Sequence, residues 1–170
     1  MPRRYYLIGF MGAGKTYWGT RMAQALNCPF IDLDEALESR HGMSIPAIFE
    51  QYGARTFRQW ERQMLLDTAM EPRLVVATGG GTPCFADNMD WMNQHGITIF
   101  LPVPATILAE RLSNQMAGRP LLQGLEPEAL PQFIEYKLHE RMPYYEKAGV
   151  ILPVYKLGTD WLPLLQEISG

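Results

Sequence analysis

The 170-residue chain carries two cysteines and three histidines, and neither set has the spacing of a metal site. Cys28 and Cys84 form no CxxC pair, and His41, His95 and His139 stand far apart. That argues against a zinc scaffold or a disulfide-stapled fold and leaves free thiols suited to a reducing cytosol. Positive charge is not in excess: 15 Lys and Arg face 18 Asp and Glu, for a net charge of −3. There is no broad basic footprint for nucleic acid or an anionic membrane. No apolar run is long enough to span a bilayer, and Met1-Pro2-Arg3-Arg4 leads directly into an apolar strand without a cleavable leader. Internal repeats, low-complexity tracts and domain linkers are missing too. What remains, 47% hydrophobic and 19% charged, is one domain long enough to bury a substantial core. The expectation is a cytoplasmic, monomeric domain acting on a small molecule, with no nucleic-acid or membrane partner.

What is present begins at Tyr5-Tyr6-Leu7-Ile8-Gly9-Phe10-Met11-Gly12-Ala13-Gly14-Lys15-Thr16. A strand-like apolar run stops at Gly9, passes three glycines in six positions, and reaches Lys-Thr before a segment with helical spacing. The pattern G-x-x-x-x-G-K-[ST] is complete and in its proper context, strand before and helix after. Small residues let backbone N–H groups converge on an anion, and the following helix adds unpaired N–H groups and a favourable dipole. Gly12, Ala13, Gly14, Lys15, Thr16 and Tyr17 are the expected contacts to a nucleoside triphosphate. Lys15 can reach the outer phosphates, and the Thr16 hydroxyl can ligate Mg²⁺. The loop names a phosphate donor. It does not name the acceptor.

Along the rest of the chain, apolar runs of strand type alternate with helical periodicity. Lys15 to Asn27 reads as a helix with Trp18, Met22, Ala25 and Leu26 on its apolar stripe, and 29–34 as a strand ending in two acids. Helices follow over 35–40 and from the Ser44 cap, the latter interrupted at Gly53 and resuming over 56–70. Strands are predicted at 74–77, 97–101 and 150–152, and helices at 85–94, 105–112, 127–145 and 160–168. Strands separated by helices imply a five-stranded parallel sheet covered on both faces, a three-layer α/β/α phosphate-loop fold. Ligands of such sheets collect at the carboxyl ends of the strands.

Two further stretches, the Asp32/Asp34 pair and the triple glycine, end strands and so share that edge with the phosphate loop, and arginines elsewhere can add charge. Asp32 and Asp34 alternate along an extended segment, so one carboxylate can serve Mg²⁺ while the other takes a proton from an attacking hydroxyl. The plainer reading is two solvated acids or a helix cap at Asp34. Arg58 and Glu61, three apart on a helix, form either a grip on an anionic substrate or an exposed ion pair. Gly79-Gly80-Gly81 allows close backbone approach to a ligand. Arg119 sits in the aperiodic segment 113–124, which suits a lid closing on phosphates, and Arg141 falls late in a helix. The histidines receive no role.

In order along the chain, the phosphate loop, Asp32-Leu33-Asp34, Phe57-Arg58-Gln59-Trp60-Glu61, the triple glycine, Arg119-Pro120-Leu121-Leu122 and Arg141-Met142-Pro143-Tyr144-Tyr145 resemble the shikimate kinase family. The resemblance covers nearly the whole chain. It implies a nucleoside monophosphate kinase-like fold with a lid at about 113–124 and a substrate-binding region at about 34–61. It implies transfer of the γ-phosphate of ATP, with Mg²⁺, to the 3-hydroxyl of shikimate, on the route to chorismate. By the same resemblance, Asp34 holds the shikimate hydroxyls and acts as base, while Arg58 and Arg141 bind its carboxylate and Glu61 orients Arg58. Backbone of Gly79, Gly80 and Gly81 contacts shikimate, and Ile45, Phe49 and Phe57 line its pocket. Lys15 and Arg119 stabilise the phosphoryl group, Thr16 and Asp32 serve Mg²⁺, and Arg111 packs against adenine. The chain departs from the family pattern at Gly149 and at 153–158, which lacks a polar loop near adenine.

Two other readings compete. A gluconate or nucleoside monophosphate kinase shares the fold, but a nucleotide acceptor wants extra basic residues for its own phosphate. A non-catalytic nucleotide switch needs neither a base nor a pair of substrate arginines.

Overall fold

The computed structural model describes residues 3–158 and 160–165. Its strands are β1 (Arg3–Ile8), β2 (Phe30–Asp32), β3 (Arg73–Ala77), β4 (Ile97–Phe100) and β5 (Val150–Ile151). They form one parallel sheet, as the alternation of elements predicts, and its strand order is β2-β3-β1-β4-β5. The helices are α1 (Lys15–Leu26), α2 (Leu33–His41), α3 (Ile45–Asp67), α4 (Asn88–His95), α5 (Ala105–Leu112), α6 (Leu130–Tyr145) and α7 (Val154–Leu157). No described helix is long and apolar enough to cross a membrane.

Side chains of a strand alternate between sheet faces, and here each face feeds its own core. Tyr5, Leu7, Val75 and Ile99 join Met22 of α1, Leu108 and Leu112 of α5, and Ile134 of α6. Tyr6, Ile8, Leu74, Val76 and Phe100 join Leu37 of α2, Leu65 of α3 and Met92 of α4. The continuous apolar runs of β1 and β3 follow from this: with helices on both sides, neither set of side chains meets water.

Caps mark several helix ends. Ser44 accepts the Ala47 N–H at 3.3 Å to start α3, and Gly42, with φ 63°, closes α2. Inside α3, Gly53 takes φ 81° and ψ 168°, a backbone region open almost only to glycine. The interruption foreseen at Gly53 is therefore a kink joining two helical halves.

Four expectations need correction. Asp34 is not on the strand: β2 ends at Asp32, whose carboxylate caps α2 by accepting the Asp34 and Glu35 N–H groups. Ala25 is exposed, and Ala23 is buried beside Met22. The cause is Gly19, where a Cβ would lie 2.5 Å from the Phe30 ring, so α1 rolls that face onto the sheet. The helix expected over 85–94 begins only at Asn88, because Pro83 opens a three-ten turn and Ala86 takes a left-handed φ of 48°. The segment after β5, to which the sequence reading assigned no element, contains α7. Of the helix expected over 160–168, the structure describes a three-ten turn at Leu162–Leu164, while 166–168 lie outside the described residues.

Candidate active site

Four segments converge at the carboxyl edge of the sheet: the loop after β1, the start of α2, the glycines after β3, and residues 111–121. The loop enters α1 through Gly14, whose left-handed backbone (φ 93°) caps the helix without a side chain. Lys15 is buried, and its Nζ donates to the Gly9 and Phe10 carbonyls at 2.8 and 2.9 Å. Burial lowers its pKa to about 8; Asp34 and Asp32 oppose the shift, while Arg141 and Arg119 add to it. The Thr16 hydroxyl donates to Asp32 Oδ2 at 2.5 Å, so these two groups stand together beside the phosphate loop. Asp32 thus divides its oxygens, one capping α2 and one facing Thr16.

Asp34 projects from the first turn of α2. Burial raises its pKa to about 6, helped by the nearby Glu61 and Asp32 and opposed by Lys15 and Arg58. A carboxyl poised there is ionised near neutral pH yet basic enough to take a proton.

Two cavities meet at this carboxylate. The first, about 520 Å³, is walled by the phosphate loop through Tyr17, by Asp32, and by Arg111, Gln115 and Arg119. Its loop position and cationic wall suit a polyphosphate. Arg111 donates to the Gly12 carbonyl at 2.9 Å, and Tyr17 carries the Arg21 guanidinium 3.5 Å above its ring. Ala13 is buried and does not line the cavity; its N–H bonds the Phe10 carbonyl. The second cavity, about 480 Å³, is walled by Ile45, Phe49 and Phe57 on one side and by Arg58, Glu61 and Arg141 on another. Met11, Asp34, Gly79, Gly80 and Arg119 belong to both.

The second cavity has its cations fixed. Arg58 Nη1 lies 2.7 Å from Glu61 Oε1, and Glu61 is only 1% exposed, so this is not the solvated pair of the plainer reading. A methyl group on Gly81 would collide with the Arg58 guanidinium, and one on Gly79 would lie 2.7 Å from Glu61 Oε2. Glycines are required here by close approach rather than by turn geometry. Among the described residues, the buried atoms Arg141 Nη1 and Arg119 Nε have no hydrogen-bond partner. Each guanidinium keeps other contacts, Arg119 Nη2 donating to Gln115 Oε1 at 3.0 Å and Arg141 lying 5.2 Å from the Phe10 ring centroid, but an unpaired cationic N–H is costly to bury, so these two atoms suit an anion.

Sequence reasoning missed several participants. Tyr145 is fully buried, kept neutral by that burial, and donates to the Gly80 carbonyl at 2.6 Å. Glu38 accepts the Ile45 N–H at 2.8 Å, tying α2 to the start of α3 beside the second cavity. Met11, Gln115 and Leu121 line the cavities as well. The spacing of Asp34 and Glu38, i and i+4, was available as a signal once α2 was known to begin at Leu33. The partner of Tyr145 is 65 residues away and left no local trace.

Comparison with known proteins bears on this arrangement. The family model for shikimate kinase matches residues 11–156. A shikimate kinase of Bacteroides thetaiotaomicron is 43% identical over 158 residues, covering 93% of this chain and 90% of that protein. The crystal structure of shikimate kinase from that organism superposes with a TM-score of 0.88 at 42% identity, covering 98% and 97% of the two chains. The shikimate kinase from Acinetobacter baumannii in complex with shikimate gives 0.87 at 34% identity, covering 98% and 94%. A gluconokinase from Sinorhizobium meliloti shares the fold alone, at 17% identity and a TM-score of 0.55. With the family model spanning both cavities and the Bacteroides relative matching across nearly the whole length, this chain belongs to the shikimate kinase family.

Proposed function

We propose that this chain is an ATP-dependent shikimate kinase in which the two adjoining cavities hold donor and acceptor. The observation that carries this reading is their common wall at Asp34 and Arg119. ATP occupies the first cavity with its phosphates on the loop N–H groups, Lys15 and Arg119. Shikimate occupies the second, its carboxylate on Arg58 and Arg141 and its ring against Ile45, Phe49 and Phe57. Asp34 accepts the proton of the 3-hydroxyl while that oxygen bonds to the γ-phosphorus and the bond to the β-phosphate oxygen breaks. The products are shikimate 3-phosphate and ADP.

Thr16 and Asp32 fit Mg²⁺, since a hydroxyl and one carboxylate beside a phosphate site match its preference for few protein oxygens. When bound, Mg²⁺ neutralises phosphate charge. Arg111 is assigned to the adenine side of the donor cavity. The same reading takes 113–124 as the lid, 34–61 as the substrate-binding region, and the enzyme as a cytoplasmic monomer.

The test is ATP consumption by purified protein with Mg²⁺, comparing shikimate, gluconate and nucleoside monophosphates. Shikimate alone is expected to support turnover; its failure would sink the assignment. Arg58→Ala should raise the KM for shikimate at least tenfold (about 1.4 kcal/mol or more) with ATP binding intact. Loss of ATP binding with unchanged shikimate affinity would contradict its role.

A further inference from the structure

We infer that Thr82 is a positioning residue for the acceptor arginine Arg58, acting through Glu61. The inference rests on the reading of the second cavity as the shikimate site. Glu61 has two carboxylate oxygens in a place with almost no water: Oε1 takes Arg58 Nη1 at 2.7 Å, and Oε2 takes the Thr82 hydroxyl at 2.8 Å. Thr82 is 0% exposed, so water offers its hydroxyl no alternative.

Thr82 is itself fixed from both sides. Its N–H donates to the Gly79 carbonyl at 3.1 Å, and its own carbonyl accepts Asn88 Nδ2 at 2.9 Å. Asn88 Oδ1 in turn accepts Arg62 Nη1 at 2.5 Å, and Arg62 pairs with Asp87 at 2.6 Å. Glu61 and Arg62 are consecutive residues of α3. They therefore grip the turn after the triple glycine at both ends, Glu61 at the Thr82 hydroxyl and Arg62 at Asn88. The ring closes through Thr82 and Asn88, directly after the triple glycine, whose Gly81 lies against the Arg58 guanidinium.

The chemistry favours a hydroxyl at this position. A lone carboxylate oxygen buried beside Gly79 needs a donor, and rotation of Glu61 to find one would drag Arg58 off its line. A second cation would satisfy Glu61 but compete with the arginine. A neutral O–H holds the carboxylate without taking its charge away from Arg58. Asp34 Oδ1 lies 3.4 Å from where a Gly79 Cβ would stand, so a displaced Glu61 would also crowd the base.

The experiment compares Thr82→Val, Thr82→Ala and Thr82→Ser in the full-length protein, with wild-type shikimate-dependent turnover as the control for the underlying assignment. Thr82→Val keeps the shape and loses the hydroxyl; Thr82→Ala loses it without bulk in the turn, should Val not fold. Both are expected to raise the KM for shikimate about tenfold, leaving the KM for ATP within about twofold and kcat less affected. Thr82→Ser is expected to restore the shikimate KM. An unchanged shikimate KM in the folded Val or Ala variant overturns the inference. Equal rises in both KM values, or a Ser variant no better than Ala, overturn it as well. Loss of wild-type turnover with shikimate would instead strike the assignment of the cavity.

Discussion

Asp34 and Lys15 are held away from their ordinary pKa values in opposite directions, and the pH behaviour of the protein follows from the pair. The base form of Asp34 appears as pH rises through about 6, and the charge of Lys15 is lost as pH rises through about 8. The rate at ATP and shikimate concentrations both well below their KM values, where the free enzyme predominates, is expected to be bell-shaped between those limbs, and a flat profile from about pH 5 to 9 would refute it. Stability runs against function at the same residue. The folded-state pKa of Asp34 lies above the ordinary 3.8, so the folded chain holds a proton that the unfolded chain releases between 3.8 and about 6. Stability due to this group is therefore full below 3.8 and lost as pH rises to about 6. Asp34→Asn should abolish turnover, keep ATP binding and stabilise the fold at pH 8 by about 2 kcal/mol. Turnover, nucleotide titration and thermal unfolding check the three parts, and near-normal kcat would remove Asp34 as base.

Among the elements, α3 shows how a local irregularity serves the site. The half before Gly53 carries Ile45 and Phe49; the half after it carries Phe57, Arg58 and Glu61, and all five face one cavity. A straight helix of this length would not wrap them around a ring. Nothing lies within 4 Å of a Cβ placed on Gly53, so Gly53→Ala meets no clash and feels only its backbone. It is expected to destabilise by about 1–3 kcal/mol and to raise the shikimate KM; an unchanged melting temperature would show that alanine fits there. The same helix marks where sequence reading succeeds. The cap at Ser44 and the break at Gly53 are local signals, and they suffice; the Arg58–Glu61 spacing shows a pair but not that Glu61 is buried. Asp34 was misplaced because one capping carboxylate, Asp32, moved the strand–helix boundary by two residues. Thr82 and Tyr145 were missed because their partners lie 21 and 65 residues away, and only the folded topology brings them together.

For the whole molecule, the sheet separates two cores, and each supports one cavity. Met22 of α1 belongs to the core beneath the phosphate loop, and Leu65 of α3 to the core beneath the second cavity, the proposed acceptor site. Met22→Ala and Leu65→Ala should each cost about 2–5 kcal/mol in unfolding free energy. Their kinetic effects should separate: the first is expected to raise mainly the KM for ATP, the second mainly that for shikimate. Initial-rate measurements on both variants decide it, and equal disturbance of both KM values would show that the sheet does not insulate the halves. The alternating side chains of β1 thus make it a party wall between two tenants. One tenant holds a nucleotide, and its half of the house needs no rebuilding when the other is let to a different alcohol. On the proposed assignment of the cavities, acceptor choice in this chain rests with α2, α3 and the turn at Thr82.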